Sequence, residues 1–232
     1  MHNELVFFLE MFVAFSAVVI AARYGEVCLV SLMCAMIVLM NVVVLEQMNL
    51  FGMALTGGNA LFGAVCLGSD VLAEHWGRKT AYRAVRIGFF VSAFFAVITR
   101  TILLYHPNAA DEEMGGYHAI KTLMNPTWRI VGASMFSYIV TQHIDVWLFQ
   151  FVRRLTRGRS LWLRSNSSTW LSQLLDSVIF TTLAFAGMGF PIVNMILFTY
   201  VIKVMASVLN TPFLYLTKLS FLAPRGAVYR ES

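Results

Sequence analysis

At 232 residues, 59% hydrophobic and only 12% charged, the chain carries about half of the roughly 25% charged residues found in ordinary globular proteins. Its mean hydropathy of +0.72 and its 19 Phe and 13 Met would leave an aqueous surface largely apolar, which excludes a secreted module, a nucleic-acid-binding domain and a two-domain soluble enzyme. The length suits membrane spans of about 20 residues with short loops between them, so the expected fold is all-α, a polytopic membrane helical bundle of six or seven transmembrane helices.

The opening Met1-His2-Asn3-Glu4 lacks the basic leader of a signal peptide, so the first apolar run, Leu5–Ala22, is expected to be a retained span. A second run, Val27–Leu45, follows the polar stretch Arg23-Tyr24-Gly25-Glu26. The third, Met53–Glu74, is interrupted by Thr56-Gly57-Gly58-Asn59. That interruption reads as loop, as a helix broken around substrate, or as close packing through Gly57, Gly63 and Gly68. The remaining runs are Ala84–Leu104, Trp128–Phe151, Ser167–Met188 and Ile192–Leu209, the last continuing until Pro212 stops it. No gap could hold a second domain. Helices are required because lipid offers no partner to an open sheet edge.

Charge placement sets the expected orientation. Arg78, Lys79, Arg83 and Arg86 follow the third run; Arg153, Arg154, Arg157, Arg159 and Arg164 follow the fifth; Lys218, Arg225 and Arg230 follow the seventh. These stretches hold 12 of the 17 basic residues and fall on one side if every run spans. Asp111, Glu112 and Glu113 lie in the loop after the fourth run. The positive-inside rule then puts the basic side and the C-terminus in the cytoplasm and the N-terminus outside. Arg83 and Arg86 read as headgroup anchors, and Glu46 and Arg100 as snorkelling residues at the outer boundary. Cys28, Cys34 and Cys66 sit in apolar runs with no paired or metal-ligand spacing, and read as small buried hydrophobes.

Ionisable groups within spans cost at least a few kcal/mol and are therefore candidate functional groups. Asp70 and Glu74 share one face of the third run at i,i+4. The fifth contains Gln142, Asp145 and Phe149, and the sixth contains Gln173, Asp176 and Phe180, so both carry Q-x-x-D-x-x-x-F. In each, an amide, a carboxylate and an aromatic ring share a helix face. At a rise of 1.5 Å per residue, Asp70 lies about 6 Å, Asp145 about 9 Å and Asp176 about 13 Å inside the cytoplasmic ends of their runs, depths comparable to that of Lys203. These groups are expected to form one layer in the cytoplasmic half. Carboxylates, amides and rings suit a flat heteroaromatic substrate, since one carboxylate takes adjacent N–H donors bidentately. The structural reading is that the same residues lock helices together. His143 is expected to serve helix packing, while His75, His106 and His118 lie where solvent reaches them. The sequence carries no phosphate-binding loop, no H-E-x-x-H and no G-x-S-x-G, so no ATPase or hydrolase activity is expected of it.

The stretch Ser69-Asp70-Val71-Leu72-Ala73-Glu74-His75-Trp76-Gly77-Arg78-Lys79-Thr80-Ala81 resembles the D-x-x-x-E-x-x-G-R-x-x-A block of the queuosine precursor transporter family, also called the Vut family. Gln142 to Phe149 is similar to that family's Q-x-x-D-V-x-x-F. Trp162 to Ser168 with Thr169, Gln173, Asp176, Phe180 and Ala184-Phe185 resembles its next block, and Tyr200 to Lys203 its Y-x-x-K. The matches run in order from Gly68 to Lys203. The resemblance implies a multi-pass importer in the bacterial inner membrane for 7-cyano- or 7-aminomethyl-7-deazaguanine, or queuine.

On that reading the chain is a single integral-membrane transporter domain. Residues 1–50 add N-terminal spans to a family-like bundle over 51–217, and 218–232 form a cytoplasmic tail. Asp145 and Asp176 are expected to accept the N–H edge of the base, with Gln142, Gln173 and Asn166 completing its hydrogen bonds. Asp70 and Glu74 form the gate or proton-coupling pair, and Lys203 is the counter-ion. No metal, cofactor or catalytic residue is expected. The expected partners are the nucleobase substrate and the lipid bilayer, with no nucleic acid and no ATPase; a second copy of the chain is left open. Two alternatives stand beside this: the substrate-binding subunit of an energy-coupling-factor importer, and a structural or assembly membrane protein.

Overall fold

A computed structural model describes residues 2–43, 47–106, 115–124, 128–157, 159–187, 189, 192–219, 224 and 226. Among these are the helices α1 (His2–Tyr24), α2 (Glu26–Val43), α3 (Asn59–His75), α4 (Arg78–Ile102), α5 (Gly116–Met124), α6 (Trp128–Leu155), α7 (Leu161–Phe185) and α8 (Ile192–Leu216). A hairpin of β1 (Gln47–Leu50) and β2 (Met53–Thr56) joins α2 to α3. Each apolar run predicted from the sequence corresponds to one of the long helices. Glu46, the acidic cluster Asp111, Glu112 and Glu113, and the tail residues Arg225 and Arg230 lie outside the described residues.

Four helices, α1, α2, α4 and α8, are long and apolar enough to cross a membrane by length and composition. Their outward residues include Leu5, Leu9, Phe12, Phe90, Phe94, Val193 and Leu197, all exposed as a hydrocarbon-facing surface requires. The other long helices carry the polar interior, which lowers their hydropathy. The chain is a multi-pass membrane protein whose apolar helices surround a polar seam.

Helix α3 is central. Every residue from Gly63 to Glu74 is buried, and α1, α2, α4, α6 and α8 all pack against it. Small residues allow this close approach. A Cβ on Gly68 would lie 2.8 Å from Sδ of Met33 on α2, and one on Gly63 would lie 3.4 Å from Cβ of Ala206 on α8. Gly57 approaches the carbonyl of Val43 in the same way, at 3.0 Å. The packing role expected of these glycines is therefore present, and α3 runs unbroken from Asn59.

Four element boundaries differ from the sequence reading. Met53–Thr56 is a strand rather than the start of a helix, because Phe51 (φ 50°) and Gly52 (φ 77°) form a two-residue turn with both φ values positive, which closes a tight hairpin. The hairpin is tied to the start of α1 by Asn3 donating to the Asn49 carbonyl and by Glu4 accepting the Phe51 N–H, each at 3.1 Å. The short helix α5 fills part of what reads as an outer loop. Helix α7 begins at Leu161, six residues earlier than the apolar run, which brings Arg164 inside the bundle. Helix α8 continues past Pro212 to Leu216. Its last turn is held by packing: Phe213 meets Phe12 and Phe15 of α1 edge-on, and Leu214 is fully buried.

Gly77 turns α3 into α4 with φ 86° and ψ 172°, a region in which side-chain-bearing residues carry about 1–3 kcal/mol of strain. Gly77→Ala is expected to lower the thermal midpoint of the detergent-purified protein by that margin. An unchanged midpoint would mean that the turn relaxes without cost.

Candidate functional site

The polar seam is built by α3, α6, α7 and α8. Helices α6 and α7 form an antiparallel hairpin, so their repeated Q-x-x-D motifs run in opposite directions. The two glutamines meet at one level: Nε2 of Gln142 and Nε2 of Gln173 both donate to Sγ of Cys66 on α3, at 3.4 and 3.3 Å. Gln142 also accepts from Ser69 at 3.3 Å. The two aspartates then fall on either side of that level. Ser172 donates to Asp145 at 2.8 Å, and Ser137 donates to Asp176 at 2.5 Å.

Asp176 also pairs with Lys203 of α8, whose ammonium lies 4.8 Å from the centre of the Phe62 ring. Asp70 accepts from Ser165 of α7 at 2.5 Å. Asn166 is fully engaged, donating to the Trp162 carbonyl and to Thr211 (2.7 Å) and accepting from Ser207 (3.5 Å). It stitches α7 to α8.

About 12 Å further along α3 from Cys66, at 1.5 Å per residue, Glu74 gathers cations from three other segments. Arg164 of α7 pairs with it directly, Lys218 beyond α8 lies at 3.0 Å, and Arg153 of α6 at 3.6 Å. Arg164 is fully buried and its guanidinium lies 5.5 Å from the centre of the Phe149 ring. His75, next along, shares a hydrogen bond with Thr217 at 2.9 Å. This end of the bundle is closed by charge.

Along the line where α3, α7 and α8 meet runs a narrow cleft, open to solvent at its mouth, whose enclosed part has room for about one water molecule. Its walls include Phe62, Cys66, Thr169, Gln173, Lys203 and Asn210. Three of these residues keep buried polar atoms without a partner: Oε1 of Gln173, Oγ1 of Thr169, and both Oδ1 and Nδ2 of Asn210. A buried amide without a hydrogen bond costs roughly 1–3 kcal/mol in a protein interior. Such groups gathered in one cleft are open to water or to a polar ligand.

Residues 56–217 match the family described as "Putative vitamin uptake transporter". A "Probable queuosine precursor transporter" of Bacillus subtilis is 32% identical over 182 residues, which is 77% of this chain and 78% of that protein. The chain belongs to this transporter family. A Haemophilus influenzae protein of the same description is 22% identical over 137 residues, 59% of this chain and 54% of that protein. No solved structure matches. Membership in the family assigns the chain a transporter role in a membrane.

Seen as a transporter site, the seam brings Asp176 and Lys203 together as the sequence suggests, and it brings Gln142 and Gln173 together through Cys66. Asp70 and Asp145 do not join that pair in one layer; they lie beyond Cys66 on the other side, held by Ser165 and Ser172 of α7. Of the expected binding residues, only Gln173 lines the cleft. The phenylalanine of each repeated motif also sits elsewhere. Phe149 lies two turns, about 10 Å, beyond Gln142, under Arg164, and Phe180 packs on Phe185. The ring at the cleft is instead Phe62 of α3.

Four further participants were not singled out in the sequence. Asn210 and Ser207 continue the polar stripe that begins at Lys203, at i+7 and i+4 on one face of α8, but the apolar run was closed at Leu209. Cys66 is a hydrogen-bond acceptor, not only a buried hydrophobe. Arg164, counted with the basic loop, is a buried partner of Glu74. His143, as expected, serves packing: Nδ1 donates to the Ile139 carbonyl at 2.7 Å and the ring stacks on Tyr82.

Removing one partner of a buried ion pair typically costs about 3–5 kcal/mol. Glu74→Gln is therefore expected to lower the thermal midpoint strongly, and Glu74→Gln combined with Arg164→Met to recover most of the loss. A Glu74→Gln protein that melts like wild type would show that the pair contributes nothing net.

Proposed function

We propose that this chain imports queuosine precursors, 7-cyano- or 7-aminomethyl-7-deazaguanine or queuine, across the bacterial inner membrane by facilitated or proton-coupled secondary transport. The observation that carries this reading is the buried cleft with unsatisfied amide groups beside an aromatic ring, within a family whose relatives bear the name queuosine precursor transporter. A flat, hydrogen-bonding guanine-like ring suits those walls better than a sugar or an inorganic ion.

In this reading α1 to α4 and α6 to α8 all span, with the N-terminus outside and the C-terminus cytoplasmic by the positive-inside rule. Residues 1–50 add spans to the bundle of residues 51–217, and residues 218–232 form the tail. The Glu74 cluster lies at the cytoplasmic end and acts as a gate. Asp176 and Lys203 form the ion pair whose breaking accompanies transport, with Asp70 and Asp145 as further carboxylates along the path. The transporter needs neither an ATPase subunit nor a nucleic acid.

The test is restoration of queuosine in tRNA of a bacterial strain that lacks both precursor synthesis and its own transporter. Each candidate base is fed at low concentration. Wild type is expected to restore the modification and Asp176→Asn, at matched membrane expression, to lose it. Failure of wild type with every base, despite confirmed membrane insertion, would overturn the reading.

A further inference from the structure

We infer that the cleft recognises its ligand through neutral amides, with Asn210 and Gln173 reading a donor–donor–acceptor edge of the kind presented by an amino-substituted lactam base. The inference rests on the import of such a base and names the groups that read it.

Several polar atoms of the cleft are already engaged. Lys203 pairs with Asp176, and Cys66 accepts from both glutamines. Ser207 accepts from Nε1 of Trp170, and its one proton goes to the Val204 carbonyl at 2.9 Å or to Asn166 Oδ1 at 3.5 Å. The Gln173 amide nitrogen is used on Cys66, but its oxygen is not. The side chain of Asn210, fully buried, has neither its oxygen nor its nitrogen engaged. The unpartnered amide atoms of the cleft are therefore two acceptors and one donor, with the Thr169 hydroxyl able to act either way.

The complement of acceptor, acceptor, donor is donor, donor, acceptor. In a planar ring that sequence is an exocyclic amino group, a ring N–H and a ring carbonyl in a row. A carboxamide takes the N–H and the carbonyl together, because its own oxygen and nitrogen lie in one plane at matching spacing. Asn210 fits that pair, and Gln173 Oε1 fits the amino group. Phe62 also lines the cleft and offers a ring for such a base, one face of it already carrying the Lys203 ammonium at 4.8 Å. An anionic ligand lacks the donors the two oxygens require. Neither aspartate lines the cleft, and each already accepts from a serine, with Asp176 also paired to Lys203.

The experiment is equilibrium binding to the purified full-length protein in detergent, using a 7-deazaguanine and the matching 7-deazahypoxanthine, which lacks only the amino group. Wild type is expected to bind the hypoxanthine form about tenfold more weakly, the loss of one buried hydrogen bond. Gln173→Met is expected to bind the guanine form about tenfold more weakly than wild type and to treat the two bases alike. Asn210→Leu is expected to weaken both bases by a similar factor or more, while its ligand-free thermal midpoint rises, because an unsatisfied buried amide has been removed. A purely structural Asn210 would lower that midpoint. If wild type binds the guanine form but the variants keep its preference between the bases, the edge assignment is wrong while the import reading stands. If wild type binds neither base, both fall.

Discussion

Helix α3 is enclosed on every side and yet carries two carboxylates, and the rest of the bundle is arranged around that fact. In lipid there is no water to satisfy Asp70 and Glu74, so their partners must come from protein. Helix α7 supplies them: Ser165 to Asp70 and Arg164 to Glu74. An ion pair this deep repays its desolvation only when its geometry is good and its remaining lone pairs are served. Lys218 joins Arg164 on one carboxylate oxygen, and Arg153 adds a third positive charge at 3.6 Å from the other. The chain order of α3, α6, α7 and the end of α8 is thus pinned at one point, the Glu74 carboxylate.

The α6–α7 hairpin solves the same problem for Asp145 and Asp176. Because the helices are antiparallel, a residue on one and its counterpart in the repeated motif on the other meet only at the level of the glutamines. Each aspartate then faces a serine on the opposite helix, Ser172 for Asp145 and Ser137 for Asp176. Serine is small enough to allow close helix packing and polar enough to satisfy a carboxylate. That pairing explains why these helices are rich in hydroxyls and why neither passes for a purely apolar span.

Much of the architecture was legible because apolar runs of span length are the strongest signal a membrane sequence carries. Each predicted run became a helix, and the glycines proposed for packing do approach neighbouring helices. What the runs hide is where a polar helix end continues inside the bundle. Arg164 and Asn210 both sit just beyond an apolar boundary, and hydropathy assigns such residues to loops. The repeated Q-x-x-D motif was visible, but its meaning depends on whether the two helices are parallel or antiparallel. Period alone does not say. Phe62 and Cys66 were hidden for the opposite reason: on a helix buried all round, an aromatic or a thiol looks like any other core residue. The tight hairpin at Phe51-Gly52 rests on backbone angles that the surrounding apolar residues do not announce.

Partnership separates scaffold from site here better than charge does. The most costly groups to bury, the carboxylates and Arg164, are engaged by side chains of neighbouring helices. The groups left open in the cleft are neutral amides and a hydroxyl, whose hydrogen bonds are each worth about 1 kcal/mol net, roughly half the value of a charge-assisted bond. For a transporter that difference matters, since a ligand held by naked carboxylates in a low-dielectric bundle would bind too tightly to leave. Amides give direction and selectivity at modest strength. The charges, fixed at Glu74 and at Asp176–Lys203, shape the bundle that positions those amides and leave the cleft free to release what it has recognised.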